Sequence, residues 1–244
     1  MNKIVQLSDC HVFSDKEKCA YLGVKPYYTF AQCLKIAAQE DALAYVFTGD
    51  ISGDYSIESY QHFWRVASQL LPVEKIKILP GNHDDKKAME KVLPKNALVA
   101  NSVVEIADTD FLFLDAQYDG AKARVSINDV KALLALCRND KKSILFMHHH
   151  PVQSNSWMDK HELVNRDEFM SLLSTYEREI HVFHGHIHHA GQSKVHNISI
   201  VSCPSTCWQW LMQKDFAVTS EAPGYRVINV DRLTSEVVRI NYTV

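Results

Sequence analysis

No stretch of the 244 residues is apolar for long enough to span a bilayer. The opening segment MNKIVQLSDC reaches an aspartate after too short an apolar run for a secretory leader. Six cysteines (Cys10, Cys19, Cys33, Cys137, Cys203, Cys207) occur without C-x-x-C spacing, which argues against both a disulfide framework and a zinc knuckle. Reduced, mostly buried thiols in a cytoplasmic protein are the expectation. Blocks of like charge are also missing. A net charge of -3 and a pI near 6.5 provide no broad basic surface for a nucleic-acid backbone. Neither nucleic acid nor membrane is expected as a partner, and any phosphate must be held locally. Internal repeats, low-complexity segments and Gly/Ser linkers are lacking too, so residues 1–244 are expected to form one domain.

What is present is an ordinary globular composition, 46% hydrophobic and 23% charged, sufficient for one large core. The runs IVQLSD, AYVFTGD, KIKILPGNHD, SILFMHHHP and IHVFHGHIH each read as a short buried strand ending in polar residues. Between them, YYTFAQCLKIAAQE, SIESYQHFWRVASQLL, VKALLALCRND and RDEFMSLLSTYE carry apolar residues at helical spacing, the second opened by Ser56 as a candidate N-cap. The pattern is α/β. NSVVEIADTDFLFLDAQ, NISIVSCP and YRVINVDRLTSEVVRINYTV read as further strands, the last with a hairpin near Asp231 to Ser235. A second sheet, or a mixed one, is therefore required.

The polar residues at the strand ends form one set: Asp9 and His11, Asp50, Asn82 with His83 and Asp84, His148 to His150, and His186 with His188. Ligands of open α/β sheets sit beyond the carboxyl ends of the strands, so five such ends converge on one crevice. This also accounts for HVFHGHIHHAG, with five histidines in eleven positions (His181, His184, His186, His188, His189), as a matter of ligand density. A mixture of carboxylates, an amide oxygen and imidazoles suits Mn, Fe or Zn over Ca or Mg, and the ligand count fits two ions better than one.

The series D-x-H, G-D, G-N-H-D, H-H-P, G-H-x-H, each following a predicted strand, resembles the full signature of the calcineurin-like metallophosphoesterases. Beyond it, HHHPVQSNSWMDKHELVN, GHIHH, CPSTCWQW and APGYRVINV look like the bacterial class III 3',5'-cyclic AMP phosphodiesterases. The resemblance implies a four-layer α/β/β/α sandwich, two mixed sheets flanked by helices. It implies a pair of divalent or mixed-valence transition metals, with Asp9, His11, Asp50 and His188 on one, Asp50, Asn82, His148 and His186 on the other, and Asp50 as the bridge. It further implies hydrolysis of cyclic AMP to 5'-AMP by a hydroxide held between the ions. His83 is then the general acid at the ribose oxygen, and His11, Asp50, Asn82, His83 and His188 also line the substrate site.

Several assignments stay open at this level. Alternate residues of a strand face opposite ways, so one of the three adjacent histidines should be the ligand. The cyclic-nucleotide pattern favours His148, and the wider H-x-P spacing favours His149. Asp54, or less favourably Asp84, could keep His83 charged. His181, His184 and His189 are expected behind the ligands, in the core or at the surface. Trp157 and Trp208 could stack a purine or simply pack, and His161 and Asn165 are substrate contacts on resemblance only. The segments TGDISGD and PGNHDD lack the arginines with which related Ser/Thr phosphatases grip a monoester dianion, which favours a diester. A broad phosphodiesterase, a nucleotidase or a nucleotide pyrophosphatase would use the same metal core. A non-catalytic scaffold would have no use for it.

Overall fold

The computed structural model describes residues 2–138, 140–176 and 178–241. In chain order these form β1 (Lys3–Leu7), α1 (Pro26–Ala37), β2 (Ala44–Thr48), α2 (Ile57–Leu70), β3 (Ile76–Leu79), α3 (Lys86–Val92), β4 (Ser102–Ile106) and β5 (Thr109–Phe113). There follow β6 (Gln117–Asp119), β7 (Lys122–Arg124), α4 (Ile127–Leu136), β8 (Lys142–Phe146), α5 (Arg166–Ser174), β9 (Ile180–His184), β10 (Gly191–Val195) and β11 (Ile198–Ser202). The chain closes with β12 (Gln209–Trp210), β13 (Val218–Thr219), β14 (Gly224–Asn229) and β15 (Thr234–Arg239).

Two mixed sheets result, ordered β15-β14-β1-β2-β3 and β10-β11-β9-β8-β5-β4. In the first, β1, β2 and β3 run parallel, and the β14–β15 hairpin adds to β1 antiparallel. In the second, β5, β8, β9 and β11 run parallel between antiparallel edges β4 and β10. Strand alternation divides the apolar side chains among layers. Ile4, Val46, Phe146 and Phe183 pack between the sheets, while Val5, Leu7, Tyr45 and Phe47 turn outward to meet α1, α2 and α3. Leu145 and Val182 turn the other way, beneath α4 and α5. The four-layer sandwich is therefore built as expected.

Local signals hold where their chemistry is strong. Ser56 caps α2 by accepting from the Ser59 amide at 3.1 Å, and the hairpin pairs Asn229 with Thr234. α3 and β10 lie outside the elements read from the sequence. The first has seven residues with Asp85 as its N-cap, and the second is the polar run GQSKV. Neither carries enough apolar periodicity to stand out.

Candidate metal centre

The parallel strands end at one rim, and the chain turns sharply there. Asp9, His11, Asp50, His186 and His188 all adopt positive φ, between 40° and 68°. Such backbone is costly for non-glycine residues and persists where the surroundings over-determine it. Here it aims side chains back over the strand ends. Asp9, His11, Asp50, His148, His186 and His188 are all buried, with Asn82 and His83 half-buried beside them.

The ligand atoms fall into groups. Asp9, His11 and His188 gather within ligating reach of one another; so do Asp9, Asp50 and His148, and so do His148, His149 and His186. Between the first group and His148 stands the Asp50 carboxylate. Its Oδ2 lies 3.6 Å from His11 Nε2 and its Oδ1 3.3 Å from His148 Nε2, while Oδ1 also accepts from the His83 amide at 2.8 Å. Asn82 Oδ1 is 3.1 Å from His148 Nε2. One carboxylate thus shows an oxygen to each side.

Main-chain carbonyls fix the imidazoles. A carbonyl can only accept, so the ring nitrogen facing it must carry the proton and the other nitrogen is left with a free lone pair. His148 Nδ1 donates to Thr48 O at 2.7 Å, His188 Nδ1 to Trp208 O at 2.9 Å, and His186 Nε2 to His161 O at 3.0 Å. In the neutral rings the lone pairs so released are Nε2 of His148 and His188 and Nδ1 of His186. His188 Nε2 then lies 3.1 Å from His11 Nε2 and 3.3 Å from Asp9 Oδ1, an arrangement of lone pairs that calls for a cation. The donor set fits two transition-metal ions.

Burial sets the protonation of the cluster. It depresses His11 to about 3 despite the Asp50 carboxylate, and holds His186 well below its usual value, with His149 and His148 adding to the effect. Both are therefore neutral, as ligands must be. For Asp9 and Asp50 burial alone would raise the pKa. The imidazoles of His188 and His148 respectively outweigh it and keep both carboxyls ionised. His148 behaves oppositely: burial would lower it, but the Asp50 carboxylate lifts it to about 9.

Supporting contacts complete the rim. The Asp9 carboxylate accepts from the His186 amide at 3.1 and 3.0 Å, and Ser205 Oγ donates to Asp9 O at 2.8 Å. A Cβ at Gly185 would sit 1.9 Å from Ser8 Oγ and 2.7 Å from Asp9 Oδ2, so only glycine fits between the two loops. Asp84 binds the Asp50 loop to the Asn82 loop, accepting from the amides of Ile51, Ser52 and Gly81 and from Tyr60 Oη.

The adjacent histidines do not follow strand alternation, because β8 ends at Phe146. All three are buried and surround His186, with ring centroids 5.2, 3.8 and 5.5 Å away for His148, His149 and His150. His148 alone of the three reaches Asp50 and Asn82. His149 stacks on His186 and donates Nε2 to Ala121 O at 2.9 Å, and His150 Nε2 lies 3.6 Å from Asp159. His83 lines the cavity, its ring 5.0 Å from that of His11. Neither expected acidic partner serves it. Asp54 holds Ser14 and Ser56, and Asp84 is engaged by amides. Asn165 is a structural residue that pairs with the Val125 backbone through both its side-chain atoms.

A cavity of about 320 Å³ opens over the centre, and none of the described residues lining it is Lys or Arg. One wall is aromatic. Trp208 lies nearly parallel to His11 (4.9 Å, 25°) and Trp210 to His188 (5.0 Å, 25°), so the indoles back the imidazoles. The carbonyl acceptors Thr48, His161 and Trp208, and the Ser205 hydroxyl, went unseen in the sequence. Only the proximity of CPSTCWQW to the fifth motif hinted at the last two.

The profile of the calcineurin-like phosphoesterase family matches residues 2–190, more than three quarters of the chain. The protein belongs to the calcineurin-like phosphoesterases. It is thus a hydrolase of the metallophosphoesterase type. This family member is 30% identical to the 3',5'-cyclic adenosine monophosphate phosphodiesterases CpdA of Vibrio vulnificus and of Escherichia coli, in each case across 98% of this chain and 90% of the relative. Its fold matches that of a dimetal phosphatase from Danio rerio, with a TM-score of 0.65 at 11% identity over 98% of both chains. No helix among the described residues is long and apolar enough to cross a membrane.

Proposed function

We propose that this phosphoesterase is a single-domain, dimetal phosphodiesterase that hydrolyses 3',5'-cyclic AMP to 5'-AMP. The observation that carries the dimetal reading is the Asp50 carboxylate, set between His11 on one side and His148 on the other. Asp9, His11, Asp50 and His188 would hold one ion, and Asp50, Asn82, His148 and His186 the other. Two ions bound there, drawn from Fe, Mn and Zn, would supply a nucleophile from water at neutral pH and neutralise charge on the phosphoryl oxygens.

The chain's own residues supply the rest. His11 and His186 stay neutral, and main-chain carbonyls orient His148, His186 and His188, so little reorganisation accompanies the reaction. His83, tethered through its amide to Asp50 and with its side chain lining the cavity, would give a proton to the departing ribose O3'. A wall without Lys or Arg suits a diester, which carries one negative charge fewer than a monoester dianion. The cyclic nucleotide itself rests on the relatives, which carry that activity in their names and align along nearly the whole chain.

Turnover of 3',5'-cyclic AMP, cyclic GMP, a 2',3'-cyclic nucleotide and a 5'-mononucleotide by the metal-loaded protein tests this reading. The highest kcat/KM is expected for 3',5'-cyclic AMP. Preference for the 5'-mononucleotide would make the protein a nucleotidase, and absence of both bound transition metal and activity on an aryl phosphodiester would remove the enzymatic reading.

A further inference from the structure

The aromatic wall of the cavity divides by what its faces already do. Trp208 and Trp210 spend theirs on His11 and His188, and both indoles are buried. Trp157 is 9% exposed and meets Trp210, Phe216 and His161 edge-on. Tyr21 differs. It lines the same cavity, is 43% exposed, and meets Trp208, Trp210 and Phe216 only in tilted or edge geometry, at 56°, 77° and 56°. Its ring is parallel to none of these neighbours. Phe216, itself 53% exposed, braces it.

The backbone holds this ring in place. Tyr21 opens a tight turn, Tyr21–Gly23, in which Leu22 and Gly23 take φ of 55° and 75°. Ala20 N donates to Val24 O at 2.7 Å and Val24 N to Tyr21 O at 3.1 Å, closing the turn on itself. A preorganised aromatic face loses little entropy on capturing a planar ligand. Tyr21 and His11 both contact Trp208, at 5.2 and 4.9 Å between ring centroids, and both line the cavity that would receive the base of a nucleotide whose phosphate sits over the strand ends.

We propose that Tyr21 is the platform on which the base of the nucleotide substrate stacks, a reading that builds on the cyclic-nucleotide function above. Stacking uses the π-face that every base has, so Tyr21 contributes affinity for a nucleobase and not discrimination of adenine from guanine.

Tyr21→Ala should raise the KM for cyclic AMP about tenfold or more with kcat within about threefold, in keeping with the worth of base–aromatic stacking. Tyr21→Phe should stay within about twofold of wild type, since the face survives. Inhibition of bis(4-nitrophenyl) phosphate hydrolysis supplies an independent arm. The alanine variant should lose affinity for 5'-AMP by the same factor and none for ribose 5-phosphate, which has no base. Equal losses for the two inhibitors, or no loss for 5'-AMP, would overturn the platform. A wild-type enzyme that cleaves the aryl diester but not cyclic AMP would instead overturn the proposed function, and the two inhibitors would still decide the role of Tyr21.

Discussion

At the scale of single residues, the site is organised by which nitrogen of each imidazole is occupied. The ligand candidates were legible in the sequence because Asp, Asn and His at the ends of buried runs are conspicuous. The groups that orient them were not, because Thr48, His161 and Trp208 act through carbonyls that every residue possesses. Two predictions follow the protons. In the metal-free protein His148 has its pKa raised to about 9, so at pH 7 its Nε2 holds a proton where the ion belongs. Metal binding at pH 7 should release about one proton at this residue, a release that fades as the pH rises through 9 and is absent in His148→Ala. Calorimetry in buffers of different ionisation enthalpy reads it directly; no buffer dependence would mean that His148 is neutral or is no ligand. For His83→Ala, both metals should stay bound while turnover of cyclic AMP falls roughly 10²- to 10⁴-fold, the usual worth of a positioned acid. Nitrophenolate departs without a proton, so the loss on bis(4-nitrophenyl) phosphate should be far smaller. Equal losses would assign His83 to phosphate positioning.

At the scale of elements, the strand ends and the turns after them are the functional unit. Strands and amphipathic helices were readable from periodicity, but alternation fails just where function begins, because the chain leaves β8 at Phe146 and β9 at His184 before the ligands appear. The positive φ of Asp9, His11, Asp50, His186 and His188 belongs to these turns, and its only sequence signature is the enrichment of Asp and His in that conformation, too weak to locate it. That is why the expectation that opposite strand faces would separate His148 from His149 does not describe His148 to His150, all of which crowd His186. Distances separate them instead, and His148→Ala should lower metal content and activity far more than His150→Ala. A larger loss at His149→Ala than at His148→Ala, by metal analysis, would transfer the ligand to His149. Gly185 tests the fit between turns. Gly185→Ala should lower the melting temperature by roughly 2–12 °C, as overpacking costing roughly 1–3 kcal/mol would in a chain of this size, and reduce metal content. Ser8→Ala in the same chain should recover part of both, because it removes the oxygen 1.9 Å from the new Cβ.

At the scale of the whole molecule, the two sheets meet through apolar side chains, and the rim over β1, β2, β3, β8 and β9 sets buried carboxylates against imidazoles. Ions that bind only the folded arrangement must stabilise it. At 100-fold excess over its dissociation constant, one ion contributes roughly 2.7 kcal/mol. At roughly 2–4 °C per kcal/mol for a chain of this size, chelation should lower the melting temperature by roughly 5–10 °C per ion removed. Acid should narrow that gap, with a sign fixed by the buried imidazoles. Burial depresses His184, which is outside the proposed ligand set, to about 3 in the fold, against roughly 6.5 in the unfolded chain. Below pH 6.5 the unfolded chain therefore takes up the proton first, and this part of the stability, complete above 6.5, is lost progressively towards 3. His148, lifted to about 9 in the metal-free fold, must give up its proton to bind metal, so acid weakens metal binding across this range. Melting curves between pH 5 and 8, with and without chelator and with metal content measured at each point, should therefore converge on the acid side and separate near neutrality. Verified removal of the metals with no change in melting temperature at pH 7 would mean that the ions bind the unfolded chain equally well, and the rim would not be the preformed binuclear site described above.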